Sequence, residues 1–226
     1  MYAQTAAATD PVASLASVGA AQQGFELSPG RQVEVGSKAQ HQLGALELEW
    51  TLALFDITER QLLTPSLANR SLTVQVGQQS SSGVEFALGL RWGPWRVNAN
   101  GTVMDPRFDD FLSREGTVTR QLAGFTPVTV HRRATNLIVA RRFGDDWQAR
   151  VVMQHVGRRY TNNFNTAWMP AYTRWDAGLA WQASPALLLD ARLENLSDKV
   201  YGTQGSTTQW ILGRPRSVAV SGVYAF

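Results

Sequence analysis

Cysteine does not occur among the 226 residues. Its absence excludes disulfides, thiolate metal sites and cysteine nucleophiles, and it suits an exported chain that gains nothing from thiol chemistry. Charge is scarce too: Asp, Glu, Lys and Arg together make up 17%, against roughly 25% in soluble domains. Lysine is nearly missing, with Lys38 and Lys199 its only occurrences. The arginines are scattered rather than gathered on one face, so the net charge of +3 does not predict a nucleic-acid surface. The pairs Arg132-Arg133, Arg141-Arg142 and Arg158-Arg159 fall at candidate strand ends and read as solvated rims. Long apolar runs are absent as well. No stretch approaches the ~18 consecutive apolar residues of a transmembrane helix, which excludes helical insertion. The opening segment, Met1-Tyr-Ala-Gln-Thr, has neither a basic n-region nor a compact apolar core, so it is not a signal peptide.

What is present is alternation. Aromatics reach 10%, with eight Trp, yet mean hydropathy is slightly negative, because apolar and polar residues are finely interleaved. In Ala45–Phe55 the apolar set is Leu46, Leu48, Trp50, Leu52 and Leu54, against Glu47, Glu49 and Thr51. A period of two places such sets on opposite faces of a β-strand. Val84–Trp92 repeats it with Val84, Phe86, Leu88, Leu90 and Trp92, then Trp95–Val103 with Trp95, Val97, Ala99 and Val103. Leu187, Leu189, Ala191 and Leu193 oppose Leu188, Asp190, Arg192 and Glu194, and the last strand sets Val218, Val220, Tyr224 and Phe226 against Ser217, Ala219 and Ser221. The second face carries Glu, Arg, Asp and Asn beside Gly and Ala, as expected where it lines a wet or plugged lumen.

The connections alternate in length. Short turns are expected at His41–Gly44, Gly93-Pro94, Gly144–Asp146 and Ser184-Pro185, and long polar loops near Ala7–Gly30, Thr58–Ser81, Pro106–His131, Arg158–Pro170 and Lys199–Arg214. Short periplasmic turns opposite long extracellular loops are the asymmetry of an outer-membrane barrel. Strands of ~9–13 residues suit a tilted bilayer crossing, and Trp92, Trp95, Phe143, Trp147, Trp181 and Phe226 fall where an interfacial girdle belongs. The fold expected is all-β: roughly ten antiparallel transmembrane strands, with Tyr2–Ala6 a partial first one. The chain opens inside a strand heading outward or at its extracellular end, which predicts a true start upstream of Met1.

Several stretches resemble one family. Leu27-Ser-Pro-Gly-Arg-Gln-Val-Glu-Val-Gly-Ser-Lys38, with Glu34, Gly36 and Lys38, is followed by Leu52-Ala-Leu-Phe-Asp-Ile57 and by Val76–Glu85. Then come Tyr160–Asn165, Met169-Pro-Ala-Tyr172, Asp176 and, most specific, Glu194-Asn-Leu-Ser-Asp-Lys-Val-Tyr201, with Gly213-Arg-Pro-Arg216 and a terminal aromatic strand behind them. In order and spacing, over essentially the whole chain, they resemble the C-terminal part of TonB-dependent outer-membrane receptors, especially the ferric-siderophore branch. Read as structure, Asn195 and Asp198 cap a strand end, Pro215 starts the next strand, and Gly36, Gly83 and Gly89 mark bends or close backbone approach. They are expected to be architectural rather than ligand-binding.

The resemblance implies residues 1–226 as the C-terminal portion of a barrel of about 22 strands. The plug domain and TonB box are absent from these residues, so TonB would act only through N-terminal parts not present. An open sheet in lipid leaves two edges of unsatisfied backbone groups, so the chain either needs further strands or closes as a small barrel. The first is the expectation; a stand-alone pore or adhesin is the alternative. The resemblance implies uptake of a ferric siderophore or similar chelate at the outer membrane of a Gram-negative bacterium, with outer-membrane lipid and the barrel-assembly machinery as further partners. Tyr224 and Phe226 resemble the assembly signal. Arg159, Tyr160, Phe164, Trp168 and Trp210 are the ligand-contact candidates, with Phe108, Phe111 and Arg114 beside them; the iron would be held by the chelator, without a cofactor. The histidines, His41, His131 and His155, are read as lying in a turn, a loop and a strand without metal-ligand spacing. No nucleophile elbow, P-loop or paired-carboxylate motif occurs, so no enzyme is expected.

Overall fold

The computed structural model describes residues 1–10, 25–66 and 73–226. Every regular element among them is a strand. Ten strands form one antiparallel sheet: β1 (Tyr2–Asp10), β2 (Ser28–Leu43), β3 (Leu46–Pro65), β4 (Thr73–Trp92), β5 (Trp95–Asp110), β8 (Arg133–Phe143), β9 (Trp147–Val156), β12 (Tyr172–Ser184), β13 (Leu187–Glu194) and β16 (Ser217–Tyr224). Each pairs with its neighbour in the chain direction, and β1 and β16 stand at the two edges. Three two-stranded hairpins interrupt the sequence: β6 (Leu112–Glu115) with β7 (Val118–Gln121), β10 (Arg159–Tyr160) with β11 (Trp168–Met169), and β14 (Gly202–Gly205) with β15 (Trp210–Leu212). All three lie in connections at the same end of the sheet. The other end has only tight turns, opened by Gly44, Gly93 and Gly144 in left-handed conformation, where the lack of a Cβ removes the steric cost.

The alternation survives across the sheet because the register keeps parity. One row runs Lys38, Thr51, Ala87, Asn100, Asn136, Gln154, Arg174. The adjacent row, on the opposite face, runs Ala39, Trp50, Leu88, Ala99, Leu137, Met153, Trp175. The polar face is concave and holds a cavity of about 550 Å³ lined by Lys38, Gln40, Glu49, Thr51, Asn98 and Asn100. It carries an ion-paired cluster: Arg150 Nη2 of β9 lies 2.8 Å from Asp190 of β13, which also receives Arg192 Nε of its own strand at 2.6 Å. The opposite face leaves Leu52, Leu54, Phe86, Val151, Trp175, Leu179 and Val220 exposed. A contiguous apolar surface of that extent is what a lipid-facing wall presents. Near the short turns it ends in aromatics, with Trp147 stacked on Trp181 at 5.2 Å and Trp92 paired in register with Trp95.

Ten strands, the alternating faces and the uneven connections match expectation, as do the lengths of β1, β8, β9 and β12; β2 to β5 run longer. β3 and β4 each run 20 residues and β2 and β5 each 16. The expected loop Thr58–Ser81 is mostly strand, Pro106–His131 begins inside β5, and Ala7–Gly30 is strand at both ends; residues 11–24 and 67–72 of these loops lie outside the described residues. The physical reason lies in the composition of these extensions. Ser80, Ser81 and Ser82 pair with Thr58, Ile57 and Asp56, and polar residues on both faces erase the alternation that reveals a strand. Bulges between Glu59 and Leu63 further break the period. β1 runs to Asp10 rather than Ala6, β2 continues through His41, placing that histidine in a strand, the last tight turn falls at Pro185-Ala186, and Pro215 precedes β16 rather than opening it.

Candidate functional site

Ala53, Phe55 and Ala140 are buried in the wall of the sheet, but the most deeply buried side chains gather at its long-loop end. Leu122, Met169 and Asn195 are fully buried there, with Phe108, Tyr172 and Tyr201 nearly so. Three stretches singled out in the sequence meet in one knot. Asn195 adopts a left-handed φ of 52°, and its side chain closes the loop after β13: Nδ2 donates to the carbonyls of Lys199 and Arg214 at 3.0 Å, and Oδ1 accepts from Lys199 N–H at 2.8 Å. Its own N–H donates to Asp176 Oδ1 at 2.8 Å, from β12. Asp198 receives the Arg216 N–H at 2.9 Å. Tyr201 stacks on Tyr172 with centroids 4.3 Å apart, and Arg174 donates both to the Tyr201 hydroxyl and to Asp176. Gly213 lies against the Tyr201 ring, where a Cβ would collide with it. Asn195 and Asp198 thus hold a strand end together, as read from the sequence, and Gly213 makes room for the Tyr201 ring.

A second set of contacts fastens the loops to one another. Arg159 is buried, its two terminal nitrogens donating to the carbonyls of Gly202 and Thr203 at 2.6 and 2.8 Å. Its Nε has no partner among the described residues. Asn165, also left-handed at φ 54°, clasps the backbone of Thr126: Oδ1 accepts its N–H and Nδ2 donates to its carbonyl, both at 2.8 Å. Thr129 N–H donates to Tyr160 O at 2.9 Å, and His131 forms an isolated bridge with Arg159. Burial, and behind it the Arg159 cation, pull His131 below the usual imidazole range. The connections after β5, β9 and β13 therefore form one hydrogen-bonded layer over the end of the wall.

The ligand-contact candidates separate within that layer. Arg159 and Met169 face inward, toward β14 and β15. Tyr160 and Trp168, each next in register, face outward, on the side of His155 and Arg133. Trp210 lies over Gly202 and Gly205 of the inner hairpin and remains 45% exposed. Phe164 is half-buried in the turn between β10 and β11. Phe108 and Phe111 stack at 4.2 Å beneath β6 and β7, and Arg114 is exposed on β6. The five candidates are not brought to one point. Asn165 lies in a stretch that carries the family resemblance, but its clasp on Thr126 has no sequence signal, and neither has the role of Arg174: a polar residue in a polar loop and an arginine in an alternating strand look like solvated groups.

This architecture has relatives. The family model described as TonB dependent receptor-like, beta-barrel matches residues 2–196. Among curated proteins, the pesticin receptor of Yersinia enterocolitica is 26% identical over 150 residues, 65% of this chain and 21% of that protein. Among solved structures, the siderophore receptor PiuA from Acinetobacter baumannii superposes with a TM-score of 0.83 over 98% of this chain and 33% of its own, at 20% identity. BauA, the ferric preacinetobactin receptor of the same species, gives a TM-score of 0.70 at 25% identity, over 88% of this chain and 30% of its own. The chain belongs to the TonB-dependent receptor family and carries strands of its β-barrel. It spans about a fifth of the length of the curated relatives and about a third of the solved ones.

Proposed function

We propose that residues 1–226 are the C-terminal portion of an outer-membrane receptor that takes up a ferric siderophore or similar chelate, energised by TonB through a plug and TonB box carried by other parts of the receptor. The observation that carries this reading is the hydrogen-bonded loop layer above a polar, charge-paired inner wall. Such a layer is a rigid frame for recognition, and the apolar outer face supports a setting in the outer membrane with the layer on the outside. PiuA, a siderophore receptor, and BauA, the ferric preacinetobactin receptor, support the substrate class. Within the layer, Trp210 and Phe164 offer aromatic surface to the chelate, Tyr160 and Trp168 border it on the outer side, and Arg159 positions the inner hairpin. The iron stays in its chelator. Tyr224, paired with Leu187, and the exposed Phe226 form the strand end that the barrel-assembly machinery engages.

The test is ligand binding by the full-length receptor, measured by quenching of tryptophan fluorescence with ferric chelates, cobalamin and an oligosaccharide. Saturable binding of a ferric chelate alone, weakened about tenfold by Trp210→Ala, supports the reading. Binding of cobalamin or the oligosaccharide alone overturns it. A closed small barrel would need β1 against β16, and the two stand at opposite edges.

A further inference from the structure

Two of the arginine pairs noted in the sequence converge on the outward face, at the long-loop end of β8, β9 and β12. Arg132, Arg133 and Arg158 are exposed around a concavity of about 550 Å³ that is also lined by His155, Tyr160 and Trp168. Arg158 lies 5.5 Å from the Tyr160 ring centroid and 5.9 Å from that of Trp168, and donates to the Tyr160 hydroxyl at 3.3 Å. His155 is engaged with Thr173 Oγ1 at 2.9 Å. One carboxylate answers these three cations: Asp105, 3.0 Å from Arg132. Arg133 and Arg158 have no carboxylate partner among the described residues.

The side of the wall is fixed by register. Arg133 is opposite Val103, and His155 is opposite Thr135 and Thr173, all on the face that carries Leu52, Phe86 and Trp175. Along β8 the same face continues through Leu137 and Val139 to Arg141, whose guanidinium lies over Trp95 and Phe143 at 5.0 and 4.7 Å. From Arg133 to Arg141 is about 26 Å of strand, or about 20 Å of height at a tilt near 40°. The apolar band of an outer-membrane barrel is about 25 Å tall. The Arg132–Arg133–Arg158 cluster therefore stands at the outer headgroup level, facing lipid and not the lumen.

We propose that this cluster is a binding site for the phosphorylated headgroup of an outer-leaflet glycolipid. Unpaired guanidiniums at that depth require an anion, and their planar forks match phosphate oxygens bidentately. Tyr160 and Trp168 give the sugar and the upper acyl carbons an amphipathic surface at the interface. The proposal rests on the outer-membrane placement given above but not on which chelate is carried.

The experiment uses the full-length receptor in non-ionic detergent, with native mass spectrometry counting bound lipid after addition of the bis-phosphorylated glycolipid, its dephosphorylated form, or inorganic phosphate. The wild type retains the phosphorylated lipid, and the Arg133→Gln/Arg158→Gln variant retains it about tenfold less. The Arg133→Lys/Arg158→Lys variant, which keeps the charge, recovers part of the binding, and Arg91→Gln/Arg96→Gln, the same charge change on the lumen face, leaves it intact. Equal retention by wild type and the Gln variant overturns the site. Equal retention of the dephosphorylated lipid overturns the role of phosphate, and full competition by inorganic phosphate shows a free-anion site instead. Heat-modifiable migration on gels confirms that each variant is folded, and chelate binding measured on the same samples separates failure here from failure of the transport reading.

Discussion

Asn195 concentrates more structure than any other side chain in the loop layer. It is fully buried, sits at positive φ, and its side chain and N–H make four hydrogen bonds linking β12, the loop after β13 and the approach to β16. Removing the amide leaves buried carbonyls without donors, each costing about 1–3 kcal/mol. Asn195→Ala is expected to lower the urea midpoint of the micelle-refolded receptor, and Asn195→Gly, which relieves the left-handed backbone, to recover only a small part. Recovery to wild type by Gly would show that the conformation, not the amide, matters. His131 gives the layer a pH dependence. Its folded pKa lies below the usual value of about 6.5, so the unfolded loop binds the proton more readily. The stabilisation is fully present above about pH 6.5 and is lost as pH falls through the lower folded value. Amide exchange in the loops near Tyr160 should accelerate over that acid range, and His131→Gln should flatten the response.

At the level of the strand, parity decides which substitutions the wall tolerates. Thr51 and Leu52 are neighbours in β3 with side chains on opposite faces. Leu52→Arg is expected to cost about 2–4 kcal/mol near the bilayer midplane, while Thr51→Arg, facing the polar wall, should fold and assemble normally. Refolding yield into phospholipid vesicles of the two variants distinguishes them, and equal yields would contradict the assignment of faces. The same parity explains what could be read in advance. Leu46–Leu54 and Val84–Trp92 announced themselves because lipid on one side and water on the other force a strict period of two. Ser80–Ser82 did not, since water bathes both faces and nothing selects a pattern. The knot around Asn195 was legible as a family motif, whereas the Asn165–Thr126 clasp joins residues 39 apart by a contact that only the folded loops create. Tyr160 and Trp168 were recognisable as loop aromatics, but which way they point depends on a two-residue register that composition does not encode.

For the chain as a whole, the lack of cysteine among its 226 residues means that an introduced thiol reports the orientation of this segment. In intact cells a membrane-impermeant maleimide should label Thr207→Cys, in the exposed tip after β14, and spare Asp145→Cys in the tight turn between β8 and β9. Labelling of Asp145→Cys alone would invert the topology. The wall itself is uneven. β3 and β4 are 20 residues long, whereas β13 and β16 have 8 each. With the tight turns at one level, the difference is about 40 Å of strand and about 30 Å of height at a tilt near 40°. On this arc the wall is stepped, high at β3–β4 and low at β13 and β16. The connection that carries β14 and β15 rises where the strands are short, so on that side the rim is made of loop rather than of wall.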